Sequence, residues 1–230
     1  MKIGITGQNG FIGYHLIQTI NYTLEDWSIV PFERSFLDDS KALDFFVSSC
    51  DVIVHLAGVN RALTDQEVYE SNLQINNILK EALLSTNFKG HLLLASTAQE
   101  NGNSLYGKAK KESREFLEKT INSLGGKFTG LIIPNVFGPF CKPNYNSFVA
   151  TFCSKIISGE SPEIIKDSSV PLLYVGNLVK QMLEVIKDPK GTLIEIQPDL
   201  NIKVTEVLDL LNSFKVSYID SNTIPSLQTH

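Results

Sequence analysis

The sequence has little of what marks disulfide-rich, membrane-spanning or nucleic-acid-binding proteins. Its 230 residues include three scattered cysteines, too few for a disulfide framework or a zinc site. No apolar run approaches the roughly 20 residues that span a bilayer, and the polar N-terminus MKIGITGQNGFIG does not fit a signal peptide. The net charge is −5 and no basic block interleaves with aromatic residues. We therefore expect a cytoplasmic protein that binds no membrane, nucleic acid or metal.

Apolar runs alternate with helical patterns along the first part of the chain. Strands are predicted at residues 2–6, 27–32, 51–56, 90–95 and 128–133, and helices at 11–23, 37–47, 67–84 and 104–122. Strand and helix in alternation predict an α/β fold, a doubly wound parallel Rossmann sheet spanning residues 1–135. The loop PNVFGPFCKPNYNSF then opens residues 136–230, which we expect to form a small substrate-binding subdomain. A helix at about 177–187 is expected to pack back on the core.

A glycine loop, T-G-Q-N-G-F-I-G, joins the first strand to the first helix. Gly7 suits the tight turn, Gly10 lets backbone amides approach a pyrophosphate, and Gly13 lets the helix pack close to the sheet. The helix N-terminus adds partial positive charge toward the phosphates. The cofactor-binding candidates of this loop are Gly7, Gln8, Asn9, Gly10, Phe11, Ile12 and Gly13.

The end of the second predicted strand carries Glu33 and Arg34 side by side. An acidic residue there binds the ribose hydroxyls of NAD, whereas Arg can hold the 2′-phosphate of NADP. We favour NADP(H) through Arg34, and NAD(H) stays possible. The alternative is that both residues are simply a solvated strand end.

The chain resembles the extended short-chain dehydrogenase/reductase family, the NAD-dependent epimerase/dehydratase group. The resemblance rests on TGQNGFIG (6–13), DVIVHLAG (51–58), Asn72, LLLAST (92–97), Tyr106 with Lys110, and PNVFGP (134–139). HLAGVNR (55–61), the short interval from Thr97 to Tyr106, and residues 137–153 are similar to one subgroup. It comprises the reductase domains of bacterial capsule enzymes in the UDP-N-acetyl-L-fucosamine pathway. Those enzymes usually carry a C-terminal cupin domain, which we expect this chain to lack.

The resemblance implies a catalytic set of Thr97, Tyr106 and Lys110, with Ser96 as the neighbouring candidate for the hydroxyl. Tyr106 and Lys110 stand four apart, on one helix face. A free Tyr titrates near pH 10, and a neighbouring ammonium favours its phenolate. Tyr106 would thus give a proton to the carbonyl oxygen that Thr97 binds. The further cofactor contacts that the family implies are Leu56, Ala57, Gly58, Lys110, Pro134 and Asn135. Asn72 matches a position that braces this loop.

The substrate-binding candidates, besides Thr97, are Lys142, Asn144, Tyr145 and Asn146. The family meets its sugar nucleotide in this loop, where a lysine can pair with a diphosphate and a tyrosine can stack on a ring. An Asn-rich turn without a ligand is the alternative.

His55 ends a buried strand, and we expect a hydrogen-bonded structural histidine there.

The sequence departs from the family pattern at two places, and the first departure disfavours dehydration. Dehydratases of the family follow the catalytic Thr with Asp-Glu, whereas Ala98 and Gln99 stand here and cannot transfer protons, with Glu100 a weak substitute. An Arg that usually contacts the diphosphate is also missing, since Val170 and Pro171 occupy its region.

The expected function is NADP(H)-dependent reduction of a nucleotide-linked keto-deoxy-sugar for cell-surface polysaccharide. An NAD-dependent nucleotide-sugar epimerase or a non-catalytic dinucleotide-binding protein are the alternatives. The family implies a homodimer through the helices at 67–84 and 104–122.

Overall fold

The computed structural model describes residues 1–23, 25–145, 147–189 and 191–224. The chain divides into two compact units. The first unit holds Met1–Pro134 and Val175–Gln197, and the second holds Asn135–Tyr174 and the segment from Pro198 onward. The chain therefore leaves the first unit after the fifth strand and later returns to it.

The secondary structure follows the alternation that the sequence predicts. The strands are β1 (Lys2–Thr6), β2 (Ser28–Val30), β3 (Val52–His55), β4 (His91–Thr97), β5 (Lys127–Ile133), β6 (Asn135–Phe137), β7 (Ser169–Tyr174), β8 (Leu193–Glu195) and β9 (Leu200–Lys203). The helices are α1 (Phe11–Thr23), α2 (Ser40–Ser48), α3 (Asp65–Ser85), α4 (Leu105–Leu124), α5 (Phe148–Ile157), α6 (Val175–Lys187) and α7 (Val204–Lys215). Short 3₁₀ turns cover Arg34–Asp38 and Ala98–Asn101, and a π-helical turn covers Val216–Asp220.

The first unit is built on a parallel sheet with the strand order β2-β1-β3-β4-β5-β8. This arrangement confirms the predicted α/β fold class. The strand order reverses between β1 and β3, because β2 lies on one side of β1 and β3 on the other. In open α/β sheets, the crevice beyond the carboxyl ends of the strands at such a switch point is where ligands bind. The loops after β1 and β3 both open onto it.

One face of the sheet is covered by α2, α3 and α4, which contact each other in sequence. The apolar core on this face includes Phe46 of α2, Leu83 of α3 and Leu117 of α4, packed with Ile53 and Leu92 of the strands. Successive strand residues point to opposite faces of the sheet. The residues next to Ile53 and Leu92 in their strands are also buried, so a second layer of helices must cover the other face. Helices α1 and α6, which contact each other, supply it.

The second unit contains a small sheet in the order β6-β7-β9, in which β6 runs parallel and β9 antiparallel to β7. Helices α5 and α7 pack against each other in this unit. Strands β6 and β9 and the π-helical turn are not evident from the sequence. Both strands are short, and their pairing depends on β7, which lies more than 25 residues away in the chain.

No helix in the described ranges is long and apolar enough to cross a membrane. Among the same residues, no group of His, Cys, Asp or Glu side chains could hold a metal ion.

Candidate active site

The glycine loop forms a tight turn between β1 and α1, with glycine at both ends of the turn, Gly7 and Gly10. Gly7 has a φ of +77°, a conformation that glycine adopts without strain, and its carbonyl accepts a hydrogen bond from Gly10 N at 2.9 Å. A Cβ on Gly13 would lie 2.4 Å from the Gly7 oxygen and 2.8 Å from Gln8 Cα. The loop therefore needs its glycines for close backbone approach, and α1 begins at Phe11 with its free amides beside it. Asn9 and Gly10 are exposed, while Gln8, Phe11 and Ile12 are half-buried.

The segment after β3 lies against the glycine loop. Ala57 N donates to Thr6 Oγ1 at 3.4 Å, and a Cβ on Gly7 would lie 2.9 Å from Ala57 N. Asn72, buried on α3, clamps this segment, since it accepts from Val59 N at 3.2 Å and donates to Val59 O at 2.7 Å. A Cβ on Gly58 would lie 2.9 Å from Asn72 Oδ1. Leu56, Ala57 and Gly58 thus form the second wall of the crevice at the switch point.

The end of β2 meets the glycine loop through Gln8, whose side-chain amide donates to the Phe32 carbonyl. Glu33 and Arg34 follow directly and are both exposed. The Ser35 hydroxyl lies 3.4 Å from Glu33 Oε2. Both charged side chains are therefore open to a ligand at the edge of the same crevice.

Ser96 and Thr97 end β4 and face different surroundings. Ser96 is buried, and its hydroxyl donates to the carboxylate of Glu100. Thr97 is half-buried, and its Oγ1 accepts from Gln99 N at 3.2 Å, which leaves its hydroxyl proton to donate to a ligand. The geometry therefore favours Thr97 over Ser96 as the hydroxyl that contacts a substrate.

Tyr106 and Lys110 lie on the first turns of α4. Ser104 is the N-cap of α4, and its hydroxyl accepts from Gly107 N at 3.0 Å. Tyr106 is half-buried. Lys110 is 6% exposed, and its Nζ donates to the Ala95 carbonyl at 2.9 Å. Burial lowers the pKa of Lys110 to about 8, and the charge of Glu100 acts in the opposite direction. The ammonium form therefore still predominates at neutral pH.

An ion pair that sequence reasoning missed joins the 3₁₀ turn to α4, one helical turn beyond Lys110. Arg114 Nε donates to both oxygens of Glu100, at 3.1 and 3.0 Å, and Arg114 Nη2 donates to Oε2 at 2.9 Å. The signal available in the sequence is the spacing of Tyr106, Lys110 and Arg114, which follow one another every four residues on one helix face.

His55 is fully buried at the end of β3, and its Nδ1 lies 2.6 Å from the Thr6 hydroxyl. Burial lowers the pKa of His55 to about 3, and the nearby Lys110 adds to the effect. A neutral, buried imidazole agrees with the structural role expected from the sequence.

The remaining predicted residues are distributed over both units. Pro134 directly follows β5, whose last residue Ile133 pairs with Thr97 in the sheet. Asn135 begins β6 and is exposed. Lys142, Asn144 and Tyr145 are exposed in the turns before α5, where Asn144 has a φ of +56° and its N donates to Thr151 Oγ1 at 2.9 Å. Asn146 lies outside the described residues.

A glycine loop at the switch point of a parallel sheet is the arrangement of dinucleotide-binding α/β proteins. We therefore assign this chain to the class of dinucleotide-binding α/β proteins. The model of the NAD dependent epimerase/dehydratase family matches residues 3–197, and the chain belongs to this family. The resemblance inferred from the motifs is thereby confirmed.

Three relatives illustrate the likeness. A UDP-2-acetamido-2,6-beta-L-arabino-hexul-4-ose reductase from Pseudomonas aeruginosa is 33% identical over 221 residues, which cover 94% of this chain and 58% of the relative. The capsular polysaccharide assembling protein CapF from Staphylococcus aureus, known from a crystal structure, is 29% identical in sequence and has a TM-score of 0.80. The match covers 100% of this chain and 61% of that one. The structure of RMD from Pseudomonas aeruginosa complexed with NADPH shares the fold, with a TM-score of 0.81 at 19% identity, over 92% of this chain and 82% of that one. The chain thus spans about three fifths of the first two relatives.

Proposed function

We propose that this chain is an NADP(H)-dependent reductase of a nucleotide-linked keto-deoxy-sugar that serves cell-surface polysaccharide synthesis. The observation that carries the proposal is the arrangement at the end of β4, where Thr97 precedes a helix bearing half-buried Tyr106 and buried Lys110. The 33% identity to a reductase named for a UDP-linked hexul-4-ose supports the substrate class. The likeness to a capsular polysaccharide assembling protein supports the pathway.

The residues around the switch point fit a dinucleotide. Gly7 and Gly10 carry no side chain at the two ends of the turn before α1, and Gly13 lets α1 lie close against the turn, an arrangement that suits a pyrophosphate at the helix N-terminus. When bound, the nicotinamide supplies the hydride that reduces the sugar carbonyl. Gly58 keeps the wall opposite the loop free of a side chain that would collide with Asn72.

The three catalytic candidates divide the work of proton transfer. The Thr97 hydroxyl donates to the carbonyl oxygen and holds it in place. Tyr106 gives its phenolic proton to the same oxygen as negative charge develops there. The Lys110 ammonium favours the phenolate that this step leaves behind. Ala98 and Gln99 are exposed next to Thr97 and have no acid or base function, which argues against dehydration.

An epimerase that retains NAD is the second candidate, because it uses the same three residues. The observation that favours it is Glu33, which stands exposed beside Arg34 and can accept from the ribose hydroxyls of NAD. Arg34 in turn can pair with the 2′-phosphate of NADP. Net consumption of NADPH distinguishes reductase from epimerase, which consumes none.

The test is turnover of a UDP-linked 4-keto-deoxy-sugar with NADPH or NADH, followed by nicotinamide absorbance, in wild type and in Tyr106→Phe. We expect Tyr106→Phe to lower kcat/KM by about 100-fold or more, because the proton donor is lost. Dinucleotide affinity, measured by fluorescence titration, is expected to change little.

Tyr22→Phe is the matched control, since Tyr22 is 83% exposed at the end of α1. It should turn over at the wild-type rate. Equal rates in wild type and Tyr106→Phe would refute the catalytic assignment. Dinucleotide binding without turnover of any keto-sugar would instead support the non-catalytic alternative. The homodimer through α3 and α4 and the cytoplasmic location stay predictions.

A further inference from the structure

The Glu100–Arg114 ion pair is buried between the 3₁₀ turn after β4 and helix α4. The side chains of Glu100 and Arg114 are 5% and 11% exposed. The carboxylate accepts three hydrogen bonds from Arg114 and one from the Ser96 hydroxyl. An ion pair that is this thoroughly desolvated is retained only when its partners are well placed. The pair therefore fixes the turn relative to both β4 and α4.

Lys110 is hydrogen-bonded to the same strand, β4. Its Nζ donates to the carbonyl of Ala95, the residue before Ser96 in β4. Arg114 follows Lys110 by one helical turn. Lys110 thus binds the carbonyl of Ala95, and Glu100 binds the hydroxyl of the next residue of β4, Ser96.

Two ionisable groups interact electrostatically with the Lys110 amine, His55 of β3 and Glu100 of the 3₁₀ turn. Tyr106 and Arg114 stand four residues before and after Lys110 on the same face of α4. From α3, the neutral amide of Asn72 lies on the same side, since a Cβ on Gly58 would lie 2.9 Å from Asn72 Oδ1 and 3.4 Å from Lys110 Nζ. The low pKa of His55, about 3, keeps its ring uncharged at neutral pH. Glu100 is the group whose negative charge favours the ammonium form.

We propose that Glu100 is a positioning residue of this site, whose carboxylate holds the end of β4 against α4 and keeps the Lys110 amine in its charged form. The inference rests on the proposed function, because the charge on Lys110 matters for turnover only if Tyr106 and Lys110 carry the reaction. Arg114 and Ser96 fix the carboxylate, so that it serves as a structural anion. This differs from a role as a proton donor in dehydration.

The consequence is a dependence of activity on the charge of residue 100. Tyr106 and Lys110 stand four residues apart on one face of α4, and the proposed reaction needs Tyr106 to hold its proton and Lys110 to be charged. Removal of the Glu100 charge makes the ammonium easier to deprotonate. The alkaline limb of the pH–rate profile should therefore shift toward lower pH in Glu100→Gln.

The experiment compares wild type, Glu100→Gln and Glu118→Gln by two measurements. The first is the titration of Lys110 in substrate-free protein by NMR of ¹³C-labelled lysine, with the signal assigned from Lys110→Met. The second is the pH profile of kcat/KM with NADPH and a UDP-linked 4-keto-deoxy-sugar. Glu118 is the matched control, because its carboxylate lies 3.8 Å from Nη1 of the same Arg114 but is more exposed.

We expect the Lys110 midpoint and the alkaline limb to fall in Glu100→Gln and to stay at wild-type values in Glu118→Gln. Glu100→Asp, which keeps the charge, should restore most of both. An unchanged Lys110 midpoint in folded Glu100→Gln, or an equal shift in Glu118→Gln, would overturn the proposal.

Two further outcomes are covered by the design. If Glu100→Gln does not fold, the double variant Glu100→Gln/Arg114→Gln removes the unpaired cation, and its Lys110 midpoint should still lie below that of wild type. If the wild-type protein turns over no keto-sugar, the proposed function fails. The substrate-free titration then still decides whether Glu100 keeps Lys110 charged.

Discussion

His55 and His91 show how single buried residues couple this fold to pH. They lie in the adjacent strands β3 and β4, and each ring contacts a hydroxyl, Thr6 Oγ1 at 2.6 Å and Thr129 Oγ1 at 3.0 Å. Burial is the main cause that lowers the pKa of His55 to about 3 and that of His91 to about 4. Both imidazoles are therefore neutral in the folded protein at pH values where an exposed histidine is charged.

The pH dependence of stability follows from these two values. In the unfolded chain both histidines take up a proton near pH 6.5, whereas the folded state resists protonation down to about pH 4. The unfolded state thus binds more protons below pH 6.5, and stability is lost as the pH falls. Each histidine should contribute a slope in the free energy of unfolding that rises to about 1.4 kcal/mol per pH unit below about pH 6, where the unfolded histidine is mostly protonated and the folded one is not.

Urea unfolding at pH 7, 6 and 5 measures this slope. His91→Gln keeps an amide near Thr129 and removes one titrating group, so it should flatten the slope by about half. A slope in His91→Gln equal to that of wild type would contradict the assignment.

The candidate active site could be predicted from the sequence only in part. Thr97, Tyr106 and Lys110 could be named as candidates because they lie within 14 residues of one another and match motifs of the family. The orientation of Ser96 could not be predicted, because it depends on the carboxylate of Glu100, which the sequence offers only as a weak substitute for the acid of a dehydratase. The Glu100–Arg114 pair is a tertiary contact across a turn, and charge patterning within α4 alone does not reveal it.

At the scale of elements, the 3₁₀ turn Ala98–Asn101 packs closely against α4, the helix that carries the catalytic candidates Tyr106 and Lys110. A Cβ on Gly107 would lie 2.1 Å from the Gln99 carbonyl oxygen, and the obstacle is backbone that cannot rotate away. Ala in place of Gly in a helix normally stabilises by about 1 kcal/mol. At Gly107 the collision should outweigh that gain.

We expect Gly107→Ala to lower the free energy of unfolding by about 1–3 kcal/mol, the usual range for overpacking. It should also reduce kcat, since the turn carries Glu100 and α4 carries Tyr106. Gly102→Ala is the control in the same turn, because its Cβ would lie 3.3 Å from the same Gln99 oxygen. A Gly107→Ala protein that is more stable than wild type in urea would contradict this expectation, because the turn would then have moved to make room for the added methyl group.

Elements with local signals could be predicted from the sequence, and those that depend on distant pairing could not. Ser104 caps α4, and α3 begins with a capping box formed by Thr64 and Glu67. The parallel sheet follows from the strand–helix alternation. In contrast, β9 exists through pairing such as Ser169 with Lys203, over a separation that no local pattern encodes.

At the scale of the whole molecule, dinucleotide binding should stabilise the first unit selectively. All cofactor-binding candidates except Asn135 lie in this unit. A ligand that binds only the native state adds about 2.7 kcal/mol at 100 times its Kd. For a protein of this size each kcal/mol raises Tm by about 2–4 °C. Saturating NADPH should therefore raise Tm by about 5–10 °C.

Substitution of Arg34 or Glu33, which follow β2, turns the measurement of Tm into a test of whether the chain prefers NADPH or NADH. Arg34 is exposed there, so that Arg34→Ser should remove its contact with the 2′-phosphate without disturbing the core. We expect Arg34→Ser to lose most of the Tm increase caused by NADPH and to keep that caused by NADH. Glu33→Ser should show the reverse pattern, because an acidic side chain at this position contacts the unphosphorylated ribose. A larger Tm increase with NADH than with NADPH in wild type, unaffected by Arg34→Ser, would assign the chain to NAD.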